Sequence, residues 1–200
     1  MKVLVACEES QRVCISFREL GHEAYSCDIQ ECSGGHPEWH IQDDVLNHLE
    51  GWDLIIAHPP CTYLSNVGAC HLFKGGKLNQ ERYQKGLAAK EFFLALYNAP
   101  CDKICIENPI PSKIYKLPKY TQIIEPYYFG EKYMKKTCLW LKNLPPLVPT
   151  QIISNPISTS RAIWYNNSVG KDRKKIRSKT FWGIARAMAD QWGGASNATA

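Results

Sequence analysis

The chain has no apolar run near the ~18 residues that a membrane-spanning helix needs, so it is read as having no membrane span. It has no internal repeat, and its 200 residues are read as about one domain. Its first residues, MKVLVACEES, carry one Lys and an early acidic pair where a secretory signal needs a basic start and a longer apolar stretch. The expectation is therefore a cytoplasmic protein. Without a signal, the nine cysteines are not expected to form a disulfide framework. Cys7, Cys101, Cys105 and Cys138 lie in or beside apolar runs and are read as small buried hydrophobes. Standard zinc spacing is missing as well. Cys32, His36 and His40, with Cys27 nearby, do not match a zinc pattern, and no metal is expected.

Net charge is also missing over most of the length, because basic and acidic side chains cancel over residues 1–170. The net charge of +5 falls on the last thirty residues, where Lys171, Arg173, Lys174, Lys175, Arg177, Lys179 and Arg186 face only Asp172 and Asp190. Such a patch can meet phosphates, or it can be a solvated loop before the last helix.

What is present is an alternation of strand and helix signals. Apolar runs at 2–7, 23–29, 52–58 and 102–109 read as strands, the third being the strongest. Helical spacing appears at 10–21, where Ser10 can N-cap and Gly21 can end the helix. It recurs at 44–51, at 180–192, and most clearly at 79–99 with Tyr83, Leu87, Phe92, Leu94 and Leu96. Residues 31–40 read as a loop, 127–141 as an antiparallel strand pair and 144–161 as irregular chain. The fold class that follows is α/β, a doubly wound, mostly parallel sheet with helices on both faces. Such sheets bind ligands beyond the carboxyl ends of their strands. Glu8, Glu9, Asp28, Asp44, the run His58-Pro59-Pro60-Cys61 and the run Glu107-Asn108-Pro109 all fall at those ends.

Cys61 follows a strand at once, on a backbone stiffened by Pro59 and Pro60. A packing cysteine belongs inside an apolar run; a nucleophile belongs at an open, fixed strand end. Glu107 ends another strand. If the two strands are neighbours, thiol and carboxyl converge, a pair suited to attack on an electron-poor ring while the acid protonates or hydrogen-bonds a ring nitrogen.

Pro59-Pro60-Cys61 and Glu107-Asn108-Pro109 resemble the PPC and ENV motifs of DNA cytosine-5 methyltransferases, and in particular a short phage or prophage member without a full target-recognition domain. The resemblance covers roughly residues 2–141 and 178–192. It implies a Rossmann-like methyltransferase fold, S-adenosylmethionine as cofactor and DNA, or a cytosine nucleotide, as partner. It implies Cys61 as nucleophile and Glu107 as the group at N3, with Pro60, Asn108 and Lys136 completing the catalytic set. Cofactor contacts fall to Cys7, Glu8, Glu9, Asp28, Ile29, Asp44 and Pro59, with Asp28 on the ribose, Asp44 near the adenine, and either Glu8 or Glu9 receiving the methionine ammonium. Lys135, Lys171, Arg173, Lys174, Lys175 and Arg177 are implied nucleic-acid contacts.

The chain departs from the family pattern in four places. Its first loop, Cys7 to Arg12, lacks glycine; Thr62 stands where Gln is usual; the second motif ends in Pro109; and Lys135-Lys136 replace arginines, which alone make a planar fork. The expected organisation is a catalytic core over 1–141, a rudimentary target-contacting region over 142–178, a helix returning to the core over 179–192 and a loose tail over 193–200. Without a full recognition domain, the chain is expected to read little sequence, to use a protein partner, or to act on something other than duplex DNA. A second reading also stays open: a degenerate binding module that holds a nucleotide or the cofactor.

Overall fold

The computed structural model describes residues 1–159 and 176–194. Its elements run β1 (Lys2–Ala6), α1 (Arg12–Glu19), β2 (Glu23–Cys27), β3 (His40–Ile41), β4 (Leu54–Ala57), α2 (Asn66–Ala69), β5 (Phe73–Lys74), β6 (Lys77–Leu78), α3 (Gln80–Tyr97), β7 (Ile104–Pro109), β8 (Gln122–Ile124), β9 (Tyr133–Met134), β10 (Thr137–Lys142), β11 (Ile157–Ser158) and α4 (Trp182–Gly193).

Seven strands form one sheet in the order β3-β2-β1-β4-β7-β10-β8. The first five are parallel, and β10 runs antiparallel to both β7 and β8. Chain order reverses between β1 and β4, which opens a crevice at their carboxyl ends. This is the doubly wound, mostly parallel α/β sheet that the alternation of apolar runs predicts.

Burial on both faces explains the continuous apolar strands. Val3, Val5, Leu54, Ile56, Cys105 and Leu139 pack under α1 and α4, against Val13, Phe17, Ile184 and Met188. Leu4, Ala6, Ile55, Ala57, Ile104, Ile106 and Trp140 point the other way, toward Phe93 and Leu96 of α3. Cys101, Cys105 and Cys138 are buried as expected, whereas Cys7 is half-buried. On α3 the fully buried aromatic is Phe93, not Phe92. Among the described residues, no helix is long and apolar enough to cross a membrane.

Several local expectations change. The segment 127–141 is not a strand pair: β10 has β7 on one edge and β8 on the other, so no edge is left for residues 127–134. Instead β9 pairs in parallel with β11. The helix expected over 44–51 is a single 3₁₀ turn, Val45–Asn47, in which only Val45 is buried; one buried side chain gives a helix nothing to pack. The loop at 31–40 closes in a 3₁₀ turn, Pro37–Trp39, and its last residue begins the edge strand β3. Ser10 does not cap α1. The cap is supplied by Glu8, whose carboxylate accepts from the backbone N–H groups of Val13 at 2.7 Å and Cys14 at 3.2 Å.

Candidate active site at the carboxyl ends of the strands

Parallel register places the ends of β4 and β7 side by side, with Ala57 opposite Ile106. Glu107 is the next residue along β7. Strand alternation puts it on the face of Cys105, level with Leu139 of β10. One position past β4, His58 still donates its backbone N–H to Ala6 O at 2.9 Å. The chain then turns through Pro59, buried, and Pro60, exposed, to the half-buried Cys61.

The turn is stitched to the strand. Asn108, 2% exposed, donates from Nδ2 to Pro59 O at 3.0 Å. Beyond the site, Asn66 N donates to Ile110 O at 2.9 Å, and Ser112 N donates to Leu64 O at 2.7 Å. The loops after Cys61 and after Glu107 are therefore bonded to each other along their length.

Inside that frame the charges are coupled. His58 Nδ1 lies 3.0 Å from Glu107 Oε2, and both side chains are largely buried. Burial works against a charge on Glu107, but the hydrogen bond and charge of His58, then Lys135, hold its carboxyl below the ordinary value. Burial likewise opposes charge on His58, yet the Glu107 bond outweighs it and the imidazole titrates above its usual range. An ionised carboxylate only accepts, so Nδ1 is the donor. The Cys61 thiol is pushed up, first by burial and then by the Glu107 charge; Lys135 and Arg177 pull the other way. Cys61, Glu107, His58 and Lys135 thus share one electrostatic environment.

Of the two adjacent lysines, Lys135 faces this cluster. Its Nζ donates to Arg177 O at 3.1 Å. Lys136, the one placed in the catalytic set by resemblance, is exposed and acts on Glu125. Lys135 is tied to the start of β10, where Thr137 Oγ1 donates to its backbone O at 3.1 Å. Lys171, Arg173, Lys174 and Lys175 lie outside the described residues, as do 195–200 of the expected tail.

On the other side of the crevice, Cys7, Asp28 and Asp44 gather around the ends of β1 and β2. Burial, then the charge of Asp28, Cys27 and finally Asp44, raises the Cys7 thiol far above its ordinary value. Asp28 Oδ1 accepts from Gln30 N at 2.9 Å, and Asp44 Oδ1 accepts from Leu46 N at 3.0 Å. Ile29 is 74% exposed beside Asp28. Glu8 and Glu9 are both buried. Glu8 is committed to capping α1. The glycine-free first loop keeps its shape by placing Cys7 (φ 59°) and Gln11 (φ 58°) in the left-handed region.

The histidines of the rejected zinc pattern are engaged elsewhere. His36 stacks on Trp39 at 3.9 Å, and His40 contacts Ser26 Oγ and Gln30 O. His58, which the sequence places at a strand end without assigning it a role, is the residue that sequence reasoning missed. Its signal was its position: the last residue of a buried run, immediately before the rigid turn.

No protein-family model and no curated protein sequence matches the chain. Among solved structures, it is similar to a candidate DNA modification methyltransferase encoded within an E. coli prophage, at TM-score 0.46 and 12% identity over 80% of this chain and 53% of that one. A mutant of Spodoptera frugiperda DNMT2 gives TM-score 0.38 and 14% identity over 78% of this chain and 54% of that one. The chain spans about half the length of each.

Proposed function

We propose that this protein is an S-adenosylmethionine-dependent methyltransferase-like enzyme that acts on C5 of cytosine in DNA, with Cys61 as nucleophile. The observation that carries the reading is the convergence of Cys61 and Glu107, from two different strand ends, in one charge-coupled cluster.

The crevice suits the cofactor's chemistry. Asp28, Asp44 and Glu9 make its β1–β2 side acidic, which matches a ribose diol and a ligand bearing positive charge, and exposed Ile29 offers an apolar surface for a ring. Pro59 and Cys7 border the same space. S-adenosylmethionine, when bound, supplies an electrophilic methyl group for C5.

The remaining chemistry belongs to the chain's own residues. Cytosine N3 and an ionised carboxylate both present lone pairs, so they need one proton between them. The Cys61 thiol, kept protonated by burial and by Glu107, has that proton to give. Glu107 takes it and passes it to N3 as sulfur bonds to C6. The C5–C6 π pair moves to C4–C5, and the C4–N3 pair settles on N3, so atoms and electrons balance. Lys135 offsets the negative charge that builds up between sulfur and carboxylate. If the substrate is duplex DNA, the base must leave the stack, at about a few kcal/mol.

A second reading, a binding module without turnover, is favoured by the raised Cys61 thiol and by the left-handed Cys7 and Gln11. A trapping assay separates the two. The protein is incubated with S-adenosylmethionine and DNA containing 5-fluorocytosine, which has no C5 proton to lose. A covalent complex with wild type and none with Cys61→Ala supports the enzyme. Binding of cofactor or nucleotide without a complex supports the module.

A further inference from the structure

His58 occupies the point where the chain order reverses, with β1 on one side and β7 on the other. Its ring is largely buried, its Nδ1 is spent on Glu107, and its Nε2 is buried with no hydrogen-bond partner among the described residues. A packing residue would not be chosen for this place. Leaving a buried polar atom unpaired is costly, and a leucine would fill the space without that penalty. The charged groups around it come from three directions: Glu8 from the loop after β1, Glu107 from β7 and Lys135 from the residues before β10.

The geometry points to His58 as a positioning residue for Glu107: its Nδ1–H clamps Oε2, fixing one carboxylate oxygen so that the other can carry the proton between Cys61 and the base. This inference rests on the methyltransferase reading and adds to it a residue outside the two motifs. The ring touches neither the base nor the thiol proton; it acts through Glu107. Because Oε2 is engaged by His58 and the carboxylate is bonded by Thr137 as well, Glu107 is held in one orientation, and the proton it collects is delivered from a fixed place. The cation also keeps Glu107 ionised before the thiol proton arrives, which a neutral neighbour would not do.

Two measurements test this on the full chain. In the first, ¹⁵N NMR of labelled protein follows the His58 ring through a pH titration in wild type and in Glu107→Gln. The expected result is a His58 midpoint above the ordinary ~6.5 in wild type that falls below it in the variant. An unchanged midpoint overturns the pairing. In the second, the rate of 5-fluorocytosine adduct formation is recorded against pH for wild type, His58→Asn and His58→Leu. Asparagine keeps an N–H near the Nδ1 position but cannot carry charge. It should keep the adduct within about tenfold of wild type while moving the acid limb up by about one pH unit, because Glu107 loses its cation. Leucine should slow the adduct by roughly a hundredfold, the scale of a misplaced catalytic group.

If His58→Asn or His58→Leu reacts at the wild-type rate with the wild-type profile, the inference is overturned. Should leucine fail to fold, asparagine and the NMR titration still decide. No adduct from wild type overturns the methyltransferase reading and the role drawn here together. A His58 midpoint that still falls in Glu107→Gln would then leave the pairing itself standing, so the two failures are told apart.

Discussion

Asn108 Nδ2 donates to the carbonyl oxygen of Pro59 at 3.0 Å, across two strands that are 49 residues apart in sequence. Pro59 has no backbone N–H and forces its neighbours into few conformations, so this bond fixes where the turn begins. The approach of the Cys61 turn to Glu107 is thereby tied to the residue that follows Glu107. Asn108→Leu should cost about 1–3 kcal/mol in chemical denaturation, the penalty of an unsatisfied buried carbonyl. It should slow adduct formation by more than that loss of stability alone accounts for. Equal losses in the two measurements would mean the bond is only structural.

Cys61 alkylation reports the charge balance without any substrate. Glu107 raises the thiol's pKa and Lys135 lowers it, and only the thiolate reacts. At neutral pH, iodoacetamide should label the Cys61 peptide severalfold faster in Glu107→Gln and more slowly in Lys135→Met. Peptide mapping by mass spectrometry distinguishes Cys61 from the other eight cysteines.

The His58–Glu107 pair should stabilise the fold within a pH window. Glu107 is depressed in the folded state, so its contribution is full above the ordinary carboxyl value of 4.5 and is lost as pH falls through its folded value. His58 is raised, so its contribution is full below 6.5 and is lost as pH rises through its folded value. The stability difference between wild type and Glu107→Gln should therefore be largest near about pH 5.5 and shrink on both sides. A difference that is flat from pH 4 to pH 9 would rule the charged pair out.

Gly183 tests the seating of α4. A Cβ there would lie 1.8 Å from Phe129 O, which is backbone and cannot swing away. Helix propensity alone favours alanine by about 1 kcal/mol, but overpacking against backbone costs roughly 1–3 kcal/mol. Gly183→Ala should lower the midpoint of thermal unfolding. A rise would show that α4 can shift on the sheet.

The parts of the fold legible in the sequence are those where burial is two-sided. The runs at β1, β4 and β7 are uninterrupted because helices cover both faces, and α3 is long enough for its spacing to speak. What was hidden depends on contacts distant in sequence. Glu8 caps α1 through its side chain from four residues before the helix starts, so local capping rules pointed to Ser10. β10 takes β8 as its second neighbour although other candidates lie nearer in the chain. Lys135 and Lys136 are indistinguishable as letters, and only the folded chain shows Lys135 acting on Cys61 and Glu107 while Lys136 acts on Glu125. His58 received no role from the sequence because its partner, Glu107, is 49 residues away. The convergence of Cys61 with Glu107 could be anticipated, since the parallel register of neighbouring strands follows from the order of the runs.

The Glu8 cap has a consequence for what the first loop can recognise. A helix start is ordinarily a place where anions settle, because its amides carry partial positive charge. Here the protein has placed its own carboxylate there, buried and bonded to two of those amides. A visiting carboxylate or phosphate finds these amides of α1 already occupied and a second acid, Glu9, next in the chain. The first loop therefore offers no vacant helix-end amides to an anion: whatever approaches α1 from this side meets the Glu8 side chain first.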